Sequence, residues 1–133
     1  MLKVEHIGIA VKSLAVSVPL FEKLLDAECY KTEEVATEGV ATAFFRQGET
    51  KIELLEALSP ASPVAKFLEK KGEGVHHLAF EVKDIRAEMA RLQNEGFELL
   101  SAEPKPGADN KLVCFLHPKS TNGVLIELTQ ERS

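Results

Sequence analysis

The chain predicts an α+β fold made of two tandem βαβββ modules, related by a pseudo-two-fold and forming a curved sheet. Three observations carry this expectation. A shift of 71 residues lays Val4-Glu-His6-Ile-Gly-Ile-Ala-Val11-Lys12-Ser-Leu14 over Val75-His-His77-Leu-Ala-Phe-Glu-Val82-Lys83-Asp-Ile85. Val4/Val75, His6/His77, Val11/Val82 and Lys12/Lys83 are identical in that overlay. A shift of 74 residues lays Ile52-Glu53-Leu54 over Ile126-Glu127-Leu128. Finally, strand and helix patterns between these motifs recur in the same order. Such self-similarity decides an architecture before any single element does. The chain is read as a single domain, 1–133, made of repeat modules 1–71 and 72–133.

Each element has its own local signal. Lys3 to Val11 is β-rich and short enough for a strand. Ser13 is the N-cap expected for an amphipathic stretch with Leu14, Val18, Phe21, Leu24 and Leu25 on one stripe. Pro19 predicts that this helix starts late, near Ser17, or is kinked. Extended segments follow at about Glu28–Ala36, Val40–Gln47 and Lys51–Ala57, with turns at Gly39 and Gly48-Glu49. Ser62 followed by Pro63 marks the start of a short helix, and Lys70-Lys-Gly-Glu-Gly74 reads as a linker. In the second module Val75–Val82 is a strand, and Asp84 caps a helix running to about Glu95, where Gly96 stops it. Phe97–Ser101, Leu112–His117 and Val124–Thr129 are the later strands, and Glu103–Asn110, with its two prolines, is a loop.

Composition bounds the function. The chain has 133 residues, 44% hydrophobic and 28% charged, with 8 Gly and 6 Pro, which excludes a disordered or collagen-like chain. Acids outnumber bases 21 to 16, so a general affinity for nucleic acid or anionic lipid is not expected. Cys29 and Cys114 lie far apart in apolar runs and form neither a disulfide framework nor a Cys-x-x-Cys knuckle. No apolar run approaches the roughly 20 residues a membrane helix needs. A strand beginning at Lys3 leaves no room for a leader, so the expected compartment is the cytoplasm.

The repeat selects the chemistry. Strand alternation places His6 with Gly8 and Ala10, opposite Ile7, Ile9 and Val11. His77 likewise shares a face with Ala79 and Glu81, and Glu127 with Leu125. A lone strand His or Glu is more often packed or solvent-facing than a ligand. Recurrence of both at matched positions has no such bland explanation. A two-fold arrangement would therefore bring His6, Glu53, His77 and Glu127 to one point. Two imidazoles and two carboxylates suit a divalent ion such as Zn, Co, Ni, Fe or Mn. His76 points to the opposite face and is read as structural, and His117 as a loop-anchoring or substrate-side residue.

With these residues in place, the chain resembles the vicinal oxygen chelate superfamily, the glyoxalase/bleomycin-resistance fold. Phe115-Leu-His117-Pro118-Lys119-Ser-Thr-Asn-Gly123-Val-Leu-Ile-Glu127-Leu, Thr50-Lys-Ile-Glu53-Leu and Ser62-Pro63-Val-Ala-Lys-Phe-Leu resemble, within it, the methylmalonyl-CoA epimerase family. The resemblance implies a divalent metal (Co, Zn, Mn or Ni) on His6, Glu53, His77 and Glu127. It also implies an acyl-CoA substrate, a homodimer, and interconversion of (2R)- and (2S)-methylmalonyl-CoA by proton removal and return. Some epimerases of this kind carry a Glu where this chain has Thr42, which cannot act as a base at neutral pH. Glu127 and Glu53 are therefore the expected proton carriers, as well as ligands. Lys105, Lys111 and Lys119 are candidates for the CoA phosphates. A lactoylglutathione lyase resembling glyoxalase I and a non-catalytic ligand- or drug-binding protein remain open alternatives. A non-haem iron dioxygenase fits less well, since that chemistry uses two His and one carboxylate.

Overall fold

A computed structural model describes residues 1–132. The first module runs β1 (Lys3–Ala10), α1 (Leu14–Leu25), β2 (Lys31–Val35), β3 (Val40–Gln47) and β4 (Thr50–Ala57). After α2 (Pro63–Lys71) the second runs β5 (Gly74–Glu81), α3 (Ile85–Asn94), β6 (Lys105–Gly107), β7 (Lys111–Leu116) and β8 (Ile126–Glu131). The expected βαβββ plan is present twice. In the first module the strand order is β2-β3-β4-β1, and in the second it is β6-β7-β8-β5. Each order ends with its module's first strand running parallel to its last: β1 beside β4, and β5 beside β8. The chain divides into two compact units, His6–His76 and a second that joins Met1–Glu5 to the chain from His77 onward.

In the unit from His6 to His76, Val11, Ala43, Phe45 and Leu54 form a buried cluster. Ile9, Leu14, Val18, Phe21 and Leu25 pack onto it, so α1 covers one face of its strands. The helix begins at Leu14 rather than near Ser17. The Ser13 hydroxyl accepts from the Val16 amide at 3.4 Å, and the Glu56 carboxylate accepts from the Leu14 amide at 2.6 Å. Both bonds satisfy amides that the first helical turn leaves unpaired. Pro19 sits inside the helix, where a proline removes the bond to the carbonyl four residues earlier. Ala15 and Pro19 are both exposed, so water can take that bond. Leu24 corrects the stripe drawn above: it is 68% exposed rather than packed. Glu28–Tyr30 also lie outside the strand expected there, because β2 starts only at Lys31.

The other unit repeats this layering. Val82, Ile85, Met89, Leu92, Cys114, Leu116 and Leu128 are buried together, with α3 over β7 and β8. Asp84 caps α3 through a bond accepted from the Ala87 amide at 3.1 Å, as Ser62 caps α2 by accepting from Val64 at 3.2 Å. Two expectations fail between α3 and β7. Phe97–Ser101 is not a strand but a single bridge, Leu99 to Leu116, flanked by bonds from Leu100 N to Phe115 O and from His117 N to Glu98 O. The Ser101 hydroxyl then turns to the Glu103 carbonyl at 2.9 Å, and the chain leaves the ladder. The strand that fills this place is Lys105–Gly107, within the stretch expected to be a loop. Pro106 is tolerated because β6 is an edge strand, where one side of the backbone needs no partner. Gly107 is required for closeness: a Cβ there would stand 2.8 Å from Val113 Cγ1.

Candidate active site

Each unit contains one buried His–Glu pair. In β1, His6 lies two residue pairs before Gly8↔Glu53 in the register with β4, and its Nε2 stands 3.2 Å from Glu53 Oε1. In β5, His77 precedes the Ala79↔Glu127 pairing with β8, and its Nε2 stands 3.0 Å from Glu127 Oε1. All four residues are buried, at 4–6% exposure. The parallel pairing explains the match. Residues two apart on one strand share a face, so a His can reach the Glu standing across from its second neighbour. Ile52 and Leu54 turn to the α1 side and Ile126 and Leu128 to the α3 side, which leaves both glutamates on the opposite face.

Thr42 shares that face with Phe44, which pairs directly with Glu53 across β3 and β4. Thr42 is 1% exposed and its hydroxyl donates to the Glu33 carbonyl at 3.2 Å. The Thr42 side chain is therefore a buried hydroxyl already tied to the backbone. The other histidines take the places expected of them. His76 stands edge-on to Phe67, ring centroids 4.9 Å apart, and His117 Nδ1 accepts from the Lys119 amide at 3.1 Å, anchoring its turn.

The lysine candidates separate. Lys111 is 5% exposed, with Nζ 2.9 Å from Glu131 Oε1 and 4.0 Å from Glu5 Oε2. Buried between carboxylates, it is not placed to meet a phosphate, which corrects the expectation for this residue. Lys119 is exposed and pairs with Glu98 at 2.9 Å, and Lys105 is exposed on β6.

Two aromatic residues escaped the sequence reading. Phe44 stands opposite Glu53, and Phe115 stands opposite Glu127 in the β7–β8 register. Phe44 falls on Phe115 at the same 71-residue shift that superimposes His6 on His77, so the signal was present in the repeat. The Phe115 ring meets His77 edge-on, centroids 5.9 Å apart at 83°.

A fold of paired βαβββ modules with a His–Glu pair in each defines a class. Residues 5–115 match the family model for the Glyoxalase/Bleomycin resistance protein/Dioxygenase superfamily, and the chain belongs to it. Within that superfamily it groups with the methylmalonyl-CoA epimerases. It is 43% identical to ethylmalonyl-CoA/methylmalonyl-CoA epimerase of Cereibacter sphaeroides, over 96% of this chain and 97% of that protein. It is 40% identical to the human mitochondrial methylmalonyl-CoA epimerase, over 96% of this chain and 73% of that one. A variant of Streptomyces coelicolor methylmalonyl-CoA epimerase, solved with 2-nitronate-propionyl-CoA, is 34% identical. It superimposes with a TM-score of 0.94, covering 100% of this chain and 96% of that one.

Proposed function

We propose that this protein is an isomerase that interconverts (2R)- and (2S)-methylmalonyl-CoA by removing and returning the α-proton. We propose further that His6, Glu53, His77 and Glu127 together hold one divalent metal ion, such as Co, Zn, Mn or Ni. The observation that carries the metal is the donor set. Two carboxylates and two imidazoles are buried with nitrogen facing oxygen at 3.2 and 3.0 Å. Buried carboxylates are costly without a compensating cation. One divalent ion balances two of them and accepts both neutral imidazoles, so the residues present fit the group. When bound, the ion supplies the positive charge that stabilises negative charge on the substrate's thioester oxygen.

The remaining work falls to the chain. A carboxylate has two oxygens, so Glu53 and Glu127 can each offer one as a ligand and use the other to hold a proton. With equivalent places in the two modules, they serve opposite faces of the planar α-carbon. Glu127, as carboxylate, takes the α-proton on one face, and Glu53, carrying a proton at the start of that turnover, delivers it on the other. Thr42 plays no part in this, its hydroxyl being committed to Glu33. The imidazoles of His6 and His77 contribute orientation and ligation, since a nitrogen that ligates has no lone pair left for a proton.

On this reading the two modules act as one domain, and the protein works in the cytoplasm as a homodimer on an acyl-CoA. Among the described residues no helix is long and apolar enough to cross a membrane. The outer face of α1 supports self-association, because Val16, Leu20 and Leu24 form one exposed stripe, at 71, 59 and 68% exposure. The activity is tested by incubating metal-loaded protein with (2R)-methylmalonyl-CoA in deuterated buffer. The expected result is α-deuteration together with appearance of the 2S form. No exchange with methylmalonyl-CoA, accompanied by turnover of methylglyoxal plus glutathione, would replace this reading with the lyase.

A further inference from the structure

We propose that Phe115 is a positioning residue for His77, fixing the imidazole plane in the orientation from which it ligates. This inference rests on the metal reading above. Three observations carry it. The Phe115 ring stands edge-on to the His77 ring, 5.9 Å between centroids and 83° between planes. At its Nε2 end the same imidazole faces Glu127 at 3.0 Å, so it is bounded by a carboxylate and by an aromatic edge. Phe115 is in turn the direct cross-strand partner of Glu127, so one register places both groups that confine the histidine.

The position of Phe115 is itself held. Its carbonyl accepts from the Leu100 amide at 2.8 Å, a bond made by the single bridge that replaces a full strand there. Imidazole rotation about its Cβ–Cγ bond is broad and soft in the absence of neighbours. An aromatic ring standing at right angles to it restricts that freedom at no cost in donors or acceptors, because a T-shaped ring pair is favourable in itself. A ligand histidine held in this way is oriented before the ion arrives, and groups that orient ligands commonly govern metal affinity 10- to 100-fold. The neighbouring His76 shows the device in a place without ligands, resting edge-on against Phe67 on the opposite face.

The test is Co(II) binding, read by visible absorption and by the rate of Co(II) loss to a chelator. It compares wild type, Phe115→Leu, Phe115→Met and Phe115→Tyr. Leu116→Val serves as control, because Leu116 is the next residue of β7 and faces the α3 core instead. The expected result is an altered absorption spectrum and roughly 10-fold faster loss of Co(II) in the Leu and Met variants. Tyr should restore wild-type behaviour, and Leu116→Val should lower thermal stability while leaving the spectrum unchanged. Wild-type spectra and loss rates in both the Leu and Met variants would overturn the inference while leaving the metal site intact. Failure of the wild type itself to bind Co(II) would instead overturn the metal reading, and this inference with it.

Discussion

The two modules share a strand plan, a His–Glu pair, a Phe opposite each Glu and the caps of their helices, yet their edge strands differ. In the first module β2 has five residues and pairs along its length with β3; in the second the matching strand, β6, has three and contains Pro106. The helix starts, by contrast, repeat: Ser13 corresponds to Asp84, and Glu56 accepts from the Leu14 amide at 2.6 Å as Gln130 accepts from the Ile85 amide at 2.7 Å. The pairs themselves differ by only 0.2 Å, at 3.2 and 3.0 Å. The difference teaches where the repeat is constrained. Register between first and last strand sets each His–Glu pair, and the helix cap beside it repeats, while the edge strands are free to diverge provided that their backbone groups find partners.

That contrast can be broken in order of expected effect. The largest follows from removing the shared element. Dialysis against a chelator should abolish epimerisation and a divalent metal should restore it, and His77→Ala should leave protein with sharply reduced metal content by elemental analysis. His76→Ala, one residue away on the other face, should keep both metal and activity. Next come the glutamates. Glu127→Gln and Glu53→Gln each preserve an oxygen donor, so metal content should stay near wild type while epimerisation falls by about 10²–10⁴-fold.

A third prediction concerns the second unit alone. Lys111→Met removes the cation that faces buried Glu5, and should lower unfolding free energy by about 3 kcal/mol in urea titrations. The Michaelis constant for methylmalonyl-CoA should not change, whereas a rise at low salt would return Lys111 to the phosphate-binding candidates. The smallest effect belongs to a cap outside the repeat. Ser62→Ala takes away the acceptor for the Val64 amide and should cost about 1 kcal/mol with turnover unaltered.

The two buried His–Glu pairs were more legible than the fold's edges. His6, Glu53, His77 and Glu127 were readable because the repeat marks them twice and strand alternation says which way each one faces. Ser62-Pro63 and Asp84 announced their helices through side chains that act within three residues. Long-range chemistry was harder to read. The start of α1 at Leu14 depends on Glu56, a residue of β4 that no local pattern connects to Ser13. The strand at Lys105–Gly107 forms because β7 offers it a partner, against the local preference of a Pro- and Gly-containing stretch for a loop. Leu24 fitted a helical stripe whose other members pack inward, and nothing in its own segment distinguishes a core leucine from one on an outer face. Lys111 read as a surface charge because Glu5 and Glu131 approach it only through the fold.

The central claim is that equivalent glutamates of the two modules serve opposite faces of one substrate. Its most direct test is α-proton exchange in deuterated buffer, starting separately from (2R)- and (2S)-methylmalonyl-CoA, with metal-loaded Glu53→Gln and Glu127→Gln. Each variant should exchange the α-proton of only one stereoisomer, without epimerisation, and the surviving isomer should differ between the two variants. Loss of exchange from the same isomer in both variants, or near wild-type epimerisation by Glu53→Gln, would contradict the account and leave Glu53 as a ligand only.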